Sequence, residues 1–168
     1  MHKILIVDDD PALVDFLKLL LDSEGYETYE ATDGAMALEE IARVSPEVVL
    51  LDYMMPDMDG LDVLHNVSKN FTSSFVVMLT GKGSEEVAVQ CMKEGAVDYV
   101  IKPFDNDRLL SAVRNAFGYR ETELQKRVLT RELQQLLARV TELLESKASD
   151  PQVAEALELL RRARETLK

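Results

Sequence analysis

Two periodicities alternate along the first two-thirds of the chain. Ile4-Leu5-Ile6-Val7 is an unbroken apolar run, the pattern of a strand buried on both faces. Asp10-Pro11 follows, an N-cap residue and a proline at the first helical position. Leu13, Phe16, Leu17, Leu20 and Leu21 then recur at helical spacing, and Gly25 closes that helix. Tyr26 to Ala31 reads as a weaker strand, and Asp33 caps a second helix carrying Ala35, Leu38, Ile41 and Ala42. Val48-Val49-Leu50-Leu51 is a third strand ending in Asp52, with a helix starting between Asp57 and Gly60. Phe75 to Leu79 is a fourth strand ending in Thr80; Ser84, with Glu86 and Val87, opens a helix that Gly95 closes. Val97 to Ile101 is a fifth strand ending in Lys102-Pro103, and a fifth helix begins near Asp105.

Five strand–helix units within about 117 residues predict an α/β fold, a five-stranded parallel doubly wound sheet with helices on both faces. Crossovers in such a sheet are right-handed, and ligands bind at the carboxyl ends of the strands. The last third reads differently. Leu129, Leu133, Leu136, Val140 and Leu143 alternate spacings of four and three, a heptad seam that Leu137 and Leu144 widen. No glycine or proline falls between Tyr119 and Ala148, so one helix of about 44 Å is expected there. Ser149-Asp150-Pro151-Gln152 caps a final helix with Val153, Leu157, Leu160 and Leu167 on one stripe. The expected organisation is an α/β domain over 1–117, a long helix with coiled-coil character over 118–148, and a short amphipathic helix over 149–168, giving an all-α tail.

Charge sharpens that division. Residues 1–117 carry 22 acidic and 9 basic side chains, net −13, whereas 118–168 carry 9 acidic and 10 basic, net +1. The first part repels polyanions, so no nucleic-acid partner is expected. No apolar run is long enough to span a bilayer, and Met1-His2-Lys3 leads into neither a signal peptide nor a membrane anchor. The single cysteine, Cys91, excludes an internal disulfide framework and a cysteine-based zinc site, and a cytoplasmic location is expected. The tail shows no helix-turn-helix pattern, basic patch or catalytic motif. Its last helix reaches Lys168 without a capping glycine, which suits a chain cut before an output domain; the regular Leu/Glu/Arg pattern of 150–168 equally suits an engineered helix.

The strand ends carry the candidate chemistry. Strand one presents Asp8, Asp9 and Asp10, strand three Asp52, strand four Thr80 and strand five Lys102. Carboxylates that converge in one pocket either rise in pKa or recruit a cation. Magnesium suits them, because it needs few carboxylates and keeps several waters. A divalent cation beside a carboxylate, a hydroxyl and a lysine is equipment for phosphoryl transfer. Other features read more plainly. Asp10 is an N-cap, Asp57, Asp59 and Gly60 are turn residues, Cys91 is core filler and His65 an exposed bystander. Gly81-Lys82-Gly83-Ser84 lacks the glycine spacing of a P-loop.

Ile6-Val7-Asp8-Asp9-Asp10, Leu51 to Gly60, Leu79-Thr80-Gly81 and Asp98 to Phe104 together resemble the receiver domain of bacterial two-component response regulators. The resemblance covers residues 1 to about 117 and implies the strand order 2-1-3-4-5, one of the common orders of doubly wound sheets. It implies Asp52 as phosphoacceptor, and Asp8, Asp9, Asp52 and the backbone carbonyl of Met54 as the ligands of Mg2+, Asp8 acting mainly through metal-bound water. It implies Thr80 as the phosphoryl-binding hydroxyl, Lys102 as the cation on a phosphoryl oxygen, Tyr99 as an aromatic switch, and a cis bond before Pro103. Met54 and Lys82 border the site at positions where the family varies.

The function implied is a phosphorylation-dependent response regulator rather than a conventional enzyme. A histidine kinase or phosphotransfer protein is the expected partner, and the leucine seam of the tail is expected to pack either on a second chain, giving a homodimer, or on the chain's own last helix. The receiver would promote its own magnesium-dependent phosphorylation and dephosphorylation. The alternative is a haloacid dehalogenase-like phosphatase with Asp8 as nucleophile, because Asp8 and Asp10 satisfy an Asp-x-Asp spacing. That pattern normally continues to Thr or Val where this chain has Ala12, and it leaves Asp52 and Tyr99 to Pro103 unused.

Overall fold

In this computed structural model, residues 2–56, 58–81, 85–145 and 150–166 are described. The elements run β1 (Lys3–Val7), α1 (Pro11–Ser23), β2 (Glu27–Ala31), α2 (Gly34–Val44), β3 (Val48–Asp52), α3 (Gly60–Asn70), β4 (Phe75–Thr80), α4 (Glu85–Glu94), β5 (Asp98–Ile101), α5 (Asn106–Glu145) and α6 (Pro151–Thr166). All four strand pairings are parallel and the order is β2-β1-β3-β4-β5.

Alternation along each buried strand divides the core. Ile4, Ile6, Val48, Leu50, Val77 and Leu79 face Leu17 and Leu21 of α1 and Leu109 and Val113 of α5. Leu5, Val7, Val49, Leu51, Val76 and Met78 face Ile41 of α2, Val63 and Leu64 of α3, and Cys91 of α4. A continuous apolar run is needed because both faces are covered. Cys91 is fully buried, as core filler would be.

The caps fall where the polar residues interrupt the pattern. Asp10, Asp33 and Asp59 each accept a backbone N–H from the first turn of the helix that follows. Gly25, at φ 85°, takes the left-handed conformation just past α1. The third helix starts at Gly60, within the stretch the sequence marks; Asp57, Lys82, Ser84, Ser149 and Leu167 lie outside the described residues.

Two units divide the chain, Met1–Glu121 and Thr122–Lys168. Helix α5 continues through Gly118 without a break. In the second unit, Asp150 caps α6, its carboxylate accepting the Gln152 N–H at 2.9 Å. Leu157 is buried and Val153, Ala156 and Leu160 half-buried, the sheltered face of α6. Arg161 pairs with Glu145 at 4.0 Å. The heptad seam stays outside: Leu129, Leu133, Leu136, Val140 and Leu143 are exposed, while Leu137 and Leu144 beside it are half-buried. Among the described residues, no helix is long and apolar enough to cross a membrane.

Candidate functional site

Parallel strands deliver their last residues to one end of the sheet, and the chemistry gathers there. Asp8 follows β1, Asp52 ends β3, Thr80 ends β4, and Lys102 follows β5. Asp8, Asp52 and Thr80 are buried, at 1%, 5% and 1% exposure, and Asp9 is open to solvent. Asp8, Asp9 and Asp52 each offer an oxygen within 4.8 Å of the others.

Lys102 reaches across the sheet. Its Nζ lies 2.6 Å from Asp8 Oδ2 and 2.8 Å from Asp52 Oδ1, so one ammonium bridges two nearly buried carboxylates. The backbone N–H of Lys102 donates to the Thr80 carbonyl at 2.7 Å, which places the residue beside the end of β4; the Lys102–Pro103 peptide is cis. The remaining carboxylate oxygens are held locally. Asp8 Oδ1 accepts the Asp10 N–H at 3.0 Å, and Asp52 Oδ2 accepts the Met54 N–H at 3.1 Å. Met54 itself is exposed at the rim.

Burial pushes the Asp52 carboxyl up, and the hydrogen bond from Lys102 only partly offsets it, so its pKa lies above the ordinary aspartate value. Burial alone would lower Lys102, but its bonds to Asp52 and Asp8 outweigh this and hold its pKa above the ordinary lysine value. Three carboxylates against one ammonium leave an excess of negative charge. That is the setting for a hard, oxygen-seeking cation, and the donor set here is all oxygen.

The other candidates sort by geometry. Asp10 caps α1, its carboxylate accepting the Ala12 N–H at 3.0 Å. The two members of the Asp-x-Asp pair thus make different contacts, Asp8 with Lys102 and Asp10 with the first turn of α1. Tyr99 sits one strand over from Met78 and is half-buried against the core on the α4 side. His65 is exposed and its Nδ1 lies 3.1 Å from Glu94 Oε2.

Gly60 has a larger role than a turn residue. A Cβ there would lie 2.2 Å from the Asp52 carbonyl oxygen and 3.0 Å from the Tyr53 Cα. Its N–H donates to the Tyr53 carbonyl at 3.2 Å. The start of α3 thus presses against the backbone that carries Asp52, and only glycine fits. The sequence signals a turn at Gly60 but not what it turns against. Nor does the sequence single out Arg108; no spacing rule links it to Asp98, ten residues earlier and in another element.

Comparison with known proteins agrees with this geometry. The profile described as "Response regulator receiver domain" matches residues 4–114. The chain is 40% identical over 116 residues to Regulatory protein AtoC of Escherichia coli, covering 69% of this chain and 25% of AtoC. It is 40% identical over 122 residues to the DNA-binding response regulator MtrA of Mycolicibacterium smegmatis, covering 73% of this chain and 53% of MtrA. The chain therefore spans from a quarter to about half the length of these relatives. Its structure resembles a CheY-like receiver domain protein of Methanospirillum hungatei at a TM-score of 0.69 and 33% identity, over 73% of this chain and 98% of that one.

Proposed function

Because the chain belongs to the response regulator receiver family, and so to phosphorylation-dependent signalling, we propose that Asp52 is its phosphoacceptor and that Mg2+ is its cofactor. The observation that carries this is the ammonium of Lys102 spanning Asp8 and Asp52 at the carboxyl end of the sheet. Asp8, Asp9, Asp52 and the Met54 carbonyl would hold the ion, which supplies charge neutralisation for the transferring oxygens. The metal's place in the reaction rests on that donor set.

The protein's own groups account for the rest. One Asp52 oxygen forms the new bond to phosphorus as the bond from phosphorus to the donor's imidazole nitrogen breaks, and that nitrogen leaves with its electron pair. Lys102 follows the charge, trading its contact with Asp52 for a phosphoryl oxygen, and stays tied to Asp8. Thr80, at the end of the neighbouring strand, offers its hydroxyl to another phosphoryl oxygen. Burial keeps competing water away from the acyl phosphate. Tyr99 then fills the room that Thr80 leaves.

A histidine kinase or phosphotransfer protein is the proposed donor, in the cytoplasm. The net charge of −13 over residues 1–117 argues against a nucleic-acid contact by this part of the chain, whatever MtrA's name says of MtrA. The exposed seam of the tail is proposed to pair with a second copy. The family assignment supports signalling and lends nothing to the phosphatase alternative.

Acetyl phosphate with Mg2+ tests the chemistry. Intact-mass measurement should show one phosphoryl group, released by hydroxylamine. Asp52→Asn should abolish it and Asp8→Asn should slow it. A label that persists in Asp52→Asn and disappears in Asp8→Asn would overturn the assignment.

A further inference from the structure

The first turn of α5 reaches back to the strand before it. Asp105 caps the helix, its Oδ1 accepting the Arg108 N–H at 2.7 Å. The guanidinium then forks. Nη1 donates to Asp98 Oδ2 at 3.2 Å, and Nη2 donates to Asp98 Oδ1 at 3.0 Å and to the Tyr99 carbonyl at 2.5 Å. Asp98 Oδ1 also accepts the Tyr99 N–H at 2.8 Å. Both backbone polar groups of Tyr99 are thus held by one Asp98–Arg108 pair. Beside it lies a cavity of about 330 Å³ lined by Tyr99, Ile101, Pro103, Phe104, Asp105 and Arg108.

We propose that Arg108 is a positioning residue for Tyr99: its fork, with Asp98, clasps the Tyr99 backbone and favours the arrangement in which Lys102 spans Asp8 and Asp52. This rests on the reading of Asp52 and Tyr99 given above. The chemistry suits a latch rather than a lock. A planar guanidinium can grip both oxygens of one carboxylate in a fixed fork and still reach a carbonyl with the same nitrogen. Yet the Arg108 side chain is 42% exposed, and solvent-reached pairs contribute little net stability, so the clasp can open at small cost. A group that favours one of two arrangements subtracts from the affinity of any ligand that needs the other. Breaking the clasp therefore makes the phosphoryl-bound arrangement easier to reach.

The test uses the full chain labelled with 3-fluorotyrosine, the Tyr99 resonance identified by its loss in Tyr99→Phe. Beryllofluoride with Mg2+ is the probe. Arg108→Ala should raise the apparent affinity for beryllofluoride at least threefold. In its absence the Tyr99 resonance should already move part of the way to its bound position. Asp98→Asn should do the same, and the double variant no more than either single one. If Arg108→Ala loses its folded circular dichroism spectrum, the isosteric Asp98→Asn carries the test. A wild-type protein that fails to bind the mimic overturns the reading of Asp52 and this proposal with it. A wild-type protein that binds it and moves Tyr99, while the variants change neither affinity nor resonance or add independently, overturns the clasp alone.

Discussion

Asp52, the proposed phosphoacceptor, sets the burial of its charge against its pairing with Lys102. At 5% exposure its charge is costly, and Lys102 must divide itself between Asp52 and Asp8. An acid whose pKa is raised by folding weakens the fold once it ionises. The sign follows from proton counting: between the unfolded and folded pKa values, the folded state binds more protons, so stability falls as pH rises through that window. Asp52→Asn keeps the shape and removes the charge. It should stabilise the protein near neutral pH by on the order of 1 kcal/mol. The difference from wild type should shrink as pH is lowered through the folded pKa of Asp52. Urea unfolding across that range measures it; a variant less stable than wild type at neutral pH would show that the ion pair outweighs the burial.

Between elements, the far end of the sheet is tied as deliberately as the near end. Glu47, before β3, accepts the Lys3 N–H at 2.7 Å, and its Oε1 lies 3.1 Å from His2 Nδ1 and 3.7 Å from Arg120 Nη1. Arg120 also donates to the Ser73 carbonyl at 3.1 Å. Phe117 stacks on Tyr26 with centroids 5.4 Å apart, and Tyr119 meets Phe75 edge-on at 5.7 Å. These contacts fix α5 at residues 117–120, within the first unit. Burial would raise Glu47, but its bonds to Lys3 and His2 outweigh that and lower its pKa. Stability from a depressed carboxylate is present above the unfolded value and lost as pH falls through the folded one. Glu47→Gln should therefore cost about 0.5–1 kcal/mol at neutral pH and nothing in acid. Amide exchange at 117–121 should quicken in the same variant, and unchanged exchange there would detach Glu47 from the helix. None of this is visible in the sequence, because Glu47, Ser73 and Arg120 are far apart and follow no periodicity. The strands and their ends are legible for the opposite reason. Burial on both faces forces continuous apolar runs, and a parallel sheet puts every carboxyl end on one side. Boundaries blur where chemistry is local: β2 begins at Glu27 rather than Tyr26, and Gly118 passes inside a helix that composition alone would divide there.

At the scale of the whole molecule, the two units carry opposite instructions for association. Residues 1–121, with 23 acidic and 10 basic side chains and net −13, repel their copies, whereas 122–168, with 8 acidic and 9 basic and net +1, do not. The second unit also keeps Leu129, Leu133, Leu136, Val140 and Leu143 in solvent, from 42% to 72% exposed, although α6 has a sheltered face of its own. A stripe repeating in fours and threes fits a partner with the same repeat, and the proposed partner is a second copy of the chain. Fewer than four heptads give modest affinity, so the repulsion between the acidic parts should decide the balance. Raising salt from low to physiological ionic strength shortens the screening length to roughly 8 Å and weakens that repulsion while leaving apolar burial intact. Sedimentation equilibrium should thus show dimers forming at tens of micromolar or above, more of them as salt rises. The double substitution Leu133→Glu and Leu136→Glu should leave a monomer at every salt concentration. Its acyl phosphate should still form, since both residues lie outside the proposed phosphoryl site. Association that weakens with salt, or that survives both glutamates, would place the contact on charged surface instead of on the seam.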